Sequence, residues 1–242
     1  MGKIYAVGIG PGADSYMTKQ AEQVLEHCDV IIGYQVYIDL IRDNYSEKKL
    51  ISGHMRGELK RCRQAFEEAT QGNEVAMICS GDAGVYGMAG LLLEVGTEYP
   101  EIEVEVVCGI SAVMSGAAIF GAPLMHDFAV VSLSDLMTPW ETIEKRVRMA
   151  AEADFVLCFY NPSSRKRTDY LQRACDILLQ CKSADTVCGV VRNIGREGEA
   201  YQIMPLSELR EIKVDMFCTV FIGNSQTKRI GNQMVTPRGY QR

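Results

Sequence analysis

Ile4-Tyr5-Ala6-Val7-Gly8-Ile9-Gly10-Pro11-Gly12 is a short apolar run that breaks off into glycines. Residues 4–7 suit a buried strand. The glycines after them let the backbone turn tightly and approach a ligand closely, while Pro11 fixes one dihedral and removes a donor. The stretch is neither G-x-G-x-x-G nor a Walker A loop, because no Gly-Lys-Ser/Thr follows, so dinucleotide and phosphate readings both lose support. The second strand, at 30–32, runs into Gly33-Tyr34 without the acidic residue that would hold a ribose in a Rossmann site.

Outward from this stretch, short β-branched runs alternate with helical patterns, the signature of βαβ units and a largely parallel sheet. Strands are expected at 4–7, 30–32, 49–51, 75–79 and 104–107, and again at 129–132, 155–160, 186–191 and 219–222. Helices are expected at 58–71, with Leu59, Cys62, Phe66 and Ala69 on one face, and at 139–153 and 170–180. Thr138-Pro139-Trp140-Glu141 reads as a helix start, with an N-cap Thr, Pro at the first helical position and Glu placed for a capping box. The expected fold class is α/β, as two α/β domains over residues 1–122 and 123–242. Gly121-Ala122-Pro123 is the hinge, and the ligand cleft lies between the domains.

A chain of 242 residues has room for two modest domains, and 47% hydrophobic with 23% charged residues is ordinary for a soluble globular protein. No apolar window approaches the roughly 18 residues that suggest a membrane span, and the start of the chain lacks a signal-peptide pattern, so a cytoplasmic location is expected. A net charge of −6 argues against a sequence-independent grip on nucleic acid. The nine cysteines contain no C-x-x-C pair and most sit in apolar runs, which reads as buried reduced thiols rather than disulfides or a metal site.

Three further loops follow strands. Ser80-Gly81-Asp82-Ala83-Gly84-Val85-Tyr86-Gly87 carries a carboxylate among glycines; it can accept hydrogen bonds from a ligand's hydroxyls or amine, or form an Asx-turn with its own backbone. Cys108-Gly109-Ile110-Ser111-Ala112 stands at a strand-to-helix junction, where Ser111 can cap the helix or face a ligand. Tyr160-Asn161-Pro162-Ser163-Ser164-Arg165-Lys166-Arg167 offers an amide and a basic cluster, suited to an anionic substrate or simply to solvent.

These four loops, in this order, resemble the tetrapyrrole (class III) methyltransferases. Gly121-Ala122-Pro123-Leu124-Met125-His126-Asp127-Phe128, the stretch 132–140, Arg192-Asn193-Ile194-Gly195-Arg196 and Thr236-Pro237-Arg238-Gly239-Tyr240 are similar to the branch that methylates carbon 17 of a corrin precursor. The resemblance covers essentially the whole chain. It implies a homodimer, S-adenosylmethionine as the methyl donor, and precorrin-3B or cobalt-factor III as the substrate, with methylation coupled to ring contraction in vitamin B12 assembly. It also implies a cofactor pocket of Gly10, Pro11, Ser80, Gly81, Asp82, Val85, Ser111, Ala112, Tyr160, Asn161 and Gly195, and no metal ligands. Many relatives carry Pro after the loop Asp; this chain has Ala83.

Arg165, Lys166 and Arg167 are the candidates for holding the substrate's carboxylates. Ring contraction needs a proton moved, and of His27, His54 and His126 the last, beside Asp127 and just past the hinge, is the candidate catalytic pair; a structural His-Asp brace is the plainer alternative. The rivals are a sibling methylase acting on another tetrapyrrole carbon, on ribosomal RNA or on a modified histidine, and a noncatalytic corrinoid-binding protein. The acidic composition disfavours RNA, and the intact glycine loops disfavour the carrier.

Overall fold

The computed structural model describes residues 2–164 and 166–240. From the N-terminus, β1 (Ile4–Gly8) leads to α1 (Lys19–His27), β2 (Val30–Tyr34), α2 (Gln35–Ile41), β3 (Lys49–Gly53), α3 (Glu58–Thr70), β4 (Val75–Cys79), α4 (Ala89–Gly96) and β5 (Val104–Val107). The five strands form one sheet in the order β3-β2-β4-β1-β5, parallel throughout. Such a sheet is covered on both faces, so its central strand reads as a continuous apolar run, and all five residues of β4 are buried. The pleat sorts the side chains: Ile4, Ala6, Ile32, Val75 and Met77 enter one core with Cys62 and Phe66 of α3, and Val7, Ile31, Ala76 and Ile78 enter the other with Leu25 of α1 and Ile38 of α2. Thr18 caps α1 by accepting the Ala21 N–H at 3.1 Å.

The second half runs α5 (Ala112–Phe120), β6 (Gly121–Ala122), β7 (Phe128–Ser132), α6 (Trp140–Glu152), β8 (Val156–Tyr160), α7 (Tyr170–Leu178), β9 (Val187–Arg192), β10 (Ala200–Pro205), α8 (Leu206–Leu209), β11 (Cys218–Ile222), β12 (Lys228–Ile230) and β13 (Gln233–Val235). Its main sheet is ordered β10-β9-β11-β8-β7. One face packs against α6, α7 and α8 through Val147, Leu157, Phe159, Leu171, Leu178 and Leu206. On the other face the rings of Phe120 in α5 and Phe221 in β11 meet at 5.3 Å, and Gly116 and Gly189 leave room for them: a Cβ on Gly116 would come within 2.9 Å of the Phe221 ring, and one on Gly189 within 2.7 Å of the Phe120 ring.

The structure corrects several expectations. The second sheet is not largely parallel: only β7 and β8 run parallel, and β8-β11, β11-β9 and β9-β10 are antiparallel. The turn between β9 and β10, with Asn193, Gly195 and Gly198 all at positive φ, folds the chain straight back. β10 is an edge strand whose first three residues are exposed and whose last is Pro205, so it carries no apolar alternation to announce it. The helix expected to start after Thr138 begins at Trp140 with Pro139 in the cap position and no side-chain cap bond. On α3, Leu59 is exposed, and Arg61 and Ala65 join Cys62, Phe66 and Ala69 on the buried face.

Contacts divide the chain into Met1–Ala112 and Val113–Arg242, ten residues before the expected boundary at 122/123. The shift follows from α5, whose Val113 N–H donates to the Tyr160 hydroxyl at 2.7 Å and whose Phe120 packs on Phe221. Gly121-Ala122-Pro123 is pinned, not a bare connection. β6 pairs with β13, the Thr236 N–H donates to the Ala122 carbonyl at 3.0 Å, and the fully buried Thr236 hydroxyl donates to the Pro123 carbonyl at 2.6 Å.

All nine cysteines are free thiols. Burial pushes those of Cys28, Cys62 and Cys175 up to about 12, which keeps them protonated and unreactive near neutral pH. Among the described residues no helix is long and apolar enough to cross a membrane.

Candidate active site

Three of the sequence loops meet at the carboxyl ends of β1, β4 and β5, and they meet backbone to backbone. Gly10 and Gly81, both at positive φ, exchange two hydrogen bonds, Gly10 N–H to the Gly81 carbonyl at 3.1 Å and Gly81 N–H to the Gly10 carbonyl at 2.7 Å. A Cβ on Gly109 would lie 2.1 Å from the Gly81 oxygen and 2.6 Å from the Gly8 oxygen, so no side chain fits where the three loops touch. Ser111 is buried, and its Cα lies 3.5 Å from the position of a Cβ on Gly81, with the Ala112 nitrogen at 3.7 Å. The structure thus gathers Gly10, Gly81, Ser111 and Ala112 at one strand edge, with Pro11 and Ser80 adjoining in sequence.

Asp82 is the tie between two of these loops. One carboxylate oxygen accepts the Gly84 N–H at 2.8 Å, an Asx-turn, and the other accepts the Gly109 N–H at 2.8 Å. The local turn is therefore formed, and the second oxygen holds the loop after β5. A carboxylate oxygen carries two lone pairs, so each keeps one for a ligand. Beyond Asp82, residues 84–87 are exposed, Val85 among them, and Tyr86 is at positive φ.

Beside this loop the first unit contains a cavity of about 170 Å³ bordered by Tyr34, Tyr37, Arg61, Ser80, Tyr86 and Met88. Arg61, 5% exposed, was not singled out in the sequence. Its signal was its spacing: Arg61, Ala65 and Ala69 form an i, i+4, i+8 row down the buried face of α3.

In the second unit the candidate residues are held by side chains. The Tyr160 hydroxyl accepts the Val113 N–H, taking up one of the donors that the first turn of α5 leaves free. Asn161, at positive φ, donates from Nδ2 to the Ser132 hydroxyl at 3.0 Å. Gly195, also at positive φ, donates its N–H to Glu199 at 2.7 Å in the β9–β10 turn. Of the basic cluster, Arg165 lies outside the described residues and Lys166 is exposed. Arg167 is committed elsewhere: it forms an ion pair with Asp135, whose other oxygen accepts the Tyr170 hydroxyl at 2.5 Å. The Tyr170 hydrogen bond, with Arg167 adding to it against a smaller effect of burial, holds the Asp135 carboxyl below its ordinary value. Tyr170 also meets Trp140 at 4.6 Å, and the Arg173 guanidinium sits 4.0 Å over the Trp140 ring.

His126 is exposed, and its Nε2 lies 2.8 Å from the Pro237 carbonyl oxygen. A carbonyl can only accept, so Nε2 carries the proton and Nδ1 presents a lone pair whenever the ring is neutral. No hydrogen bond links the ring to Asp127 among the described residues; the Asp127 main-chain carbonyl accepts the Val156 N–H at 3.1 Å.

A parallel sheet whose strand ends carry closely packed glycine loops defines an α/β protein of the kind whose ligand sites lie at the carboxyl ends of the strands. The chain belongs to the tetrapyrrole (corrin/porphyrin) methylases, the family whose sequence profile matches residues 3–210. It is 46% identical over 235 residues to the probable cobalt-factor III C(17)-methyltransferase of Salmonella typhimurium, covering 97% of this chain and 98% of that one. The cobalt-factor III methyltransferase of Priestia megaterium is 44% identical over 246 residues; the match takes in all of this chain, which spans 46% of that relative. The crystal structure of the methyltransferase CobJ is similar with a TM-score of 0.90 at 34% identity, over 98% of this chain and 100% of that one.

Proposed function

We propose that this chain transfers a methyl group from S-adenosylmethionine to carbon 17 of cobalt-factor III, coupled to contraction of the macrocycle, in cobalamin biosynthesis. The observation that carries this reading is the 46% identity, over nearly the whole of both chains, to a protein named for that reaction. The residues fit the methyl donor. At Gly10, Gly81 and Ser111 the backbone forms a close-packed edge, Asp82 keeps a lone pair on each oxygen, and the exposed 84–87 turn stands beside them. S-adenosylmethionine supplies an electrophilic methyl group. The chain's part is to align the accepting carbon with it and to exclude water, which needs no catalytic triad. Incubation with S-adenosylmethionine and either cobalt-factor III or precorrin-3B tests the reading. A contracted, methylated product from the cobalt substrate supports it, and turnover of precorrin-3B alone moves the chain to the metal-free route.

Within this reading His126 carries the proton that ring contraction moves, using Nδ1, since Nε2 is engaged by Pro237. His126→Asn is expected to yield a methylated but uncontracted macrocycle; contracted product at the parental rate removes His126 from the chemistry. Lys166 is the exposed cation of the described cluster and the one offered to substrate carboxylates. The family resemblance further implies a homodimer, which light scattering at micromolar concentration tests. Nine free thiols fit a reducing, cytoplasmic setting.

A further inference from the structure

Arg61 is a buried cation whose charge is poorly matched. Its Nη1 donates to the His54 carbonyl at 2.7 Å, and its Nη2 reaches Glu58 at a long 3.4 Å. Its Nε, also buried, has no hydrogen-bond partner among the described residues. Glu58 is 44% exposed in its side chain, and the same oxygen that faces Arg61 also accepts the Arg56 N–H at 3.1 Å. A guanidinium taken out of water costs several kcal/mol, to order of magnitude, unless paired and fully hydrogen-bonded. The fold nevertheless makes room for it, since a Cβ on Gly53, at the end of β3, would lie 2.9 Å from the Arg61 Cδ.

The orientation matters. Nε and Nη2 form the side edge of a guanidinium, the edge that receives a carboxylate through two parallel N–H bonds. On this side chain that edge has one donor unused and the other in a long bond to a half-buried partner. Arg61 borders the cavity that Tyr34, Tyr37, Tyr86 and Ser80 also line, at the carboxyl ends of β2 and β4 and next to the Ser80-Gly81-Asp82 loop.

We propose that this cavity is a carboxylate-binding subsite in which the Nε and Nη2 edge of Arg61 receives a ligand carboxylate and Glu58 is displaced from it. The proposal rests on the functional reading above, under which two ligands carry carboxylates: the tetrapyrrole through its acidic side chains, and the methyl donor through its amino-acid end.

Two variants and two ligands test it, by binding rather than turnover: absorption titration with cobalt-factor III and calorimetry with S-adenosylhomocysteine. Arg61→Met is expected to weaken one of them about tenfold, as loss of a charge-assisted hydrogen bond does. Weaker cobalt-factor III identifies a substrate carboxylate, and weaker S-adenosylhomocysteine identifies the cofactor's. Glu58→Gln removes the competing charge from a half-buried position and should tighten the same ligand about two- to threefold, an effect that a merely structural Arg61 would not produce. Parental affinity for both ligands in either folded variant overturns the proposal, and so does weaker binding in Glu58→Gln. If Arg61→Met fails to fold, Glu58→Gln decides alone. A parent protein that binds both ligands but transfers no methyl group contradicts the functional reading and leaves the subsite standing. A parent that binds neither contradicts both.

Discussion

The two halves hold their candidate residues by different means. In the first unit the loops after β1, β4 and β5 are sealed by glycine backbones, with Gly10 and Gly81 bonded to each other and Gly109 pressed against Gly8 and Gly81. In the second unit Tyr160, Asn161 and the 160–170 loop are held by side chains: a phenol on Val113, an amide on Ser132, and an Asp135-Arg167-Tyr170 cluster. A backbone seal tolerates almost no added atom, whereas a side-chain strut can be shortened at the cost of one hydrogen bond. The first unit should therefore respond sharply to small additions and the second mildly to small deletions.

The largest effect is expected from Gly109→Ala. With a Cβ 2.1 Å from the Gly81 oxygen, backbone must move, and we expect a loss of about 3 kcal/mol in urea unfolding together with most S-adenosylhomocysteine binding. A variant as stable as the parent would mean that the seal yields readily and the contrast is false. Next comes Asp82→Ala. Because its carboxylate holds the Gly84 and Gly109 amides, stability should fall by about 2 kcal/mol alongside ligand affinity. Lost affinity at parental stability would instead assign Asp82 to the ligand alone.

Tyr160→Phe deletes the acceptor for the Val113 N–H while keeping the ring and should cost about 1 kcal/mol, read as a modest drop in the urea midpoint. A cost matching that of Gly109→Ala would erase the distinction between the halves. The smallest effect concerns acid. Since Asp135 titrates below its ordinary value of 3.8, its contribution to stability is present above that pH and fades as pH falls through the lowered folded-state value. Asp135→Asn should therefore be slightly less stable than the parent at neutral pH, with the gap closing below pH 3.8. A gap that stays constant down to acid would show that the Tyr170 and Arg167 contacts contribute nothing through charge.

What could be read from the sequence follows the same division. The parallel sheet and its glycine loops were legible because a doubly covered strand must be apolar throughout, as in residues 75–79, and because only glycine allows loops to touch through their backbones. The second sheet was harder. β10 is exposed and polar at its start, and its antiparallel pairing depends on the Asn193-Gly195-Gly198 turn, which looks like any glycine-bearing loop until φ is known. Arg167 reads as a free cation until its distant partner Asp135 is placed, and Arg61 was hidden by a helical phase that put Leu59 on the buried face in its stead. In each case the missing information was a contact across the fold rather than a local preference.

The central claim is most directly tested by one incubation of the purified protein with S-adenosylmethionine carrying a labelled methyl group and cobalt-factor III, followed by mass spectrometry and nuclear magnetic resonance of the macrocycle. We predict one labelled methyl group per product, on carbon 17 of a contracted ring. An unlabelled macrocycle, or a label on any other carbon, would contradict it.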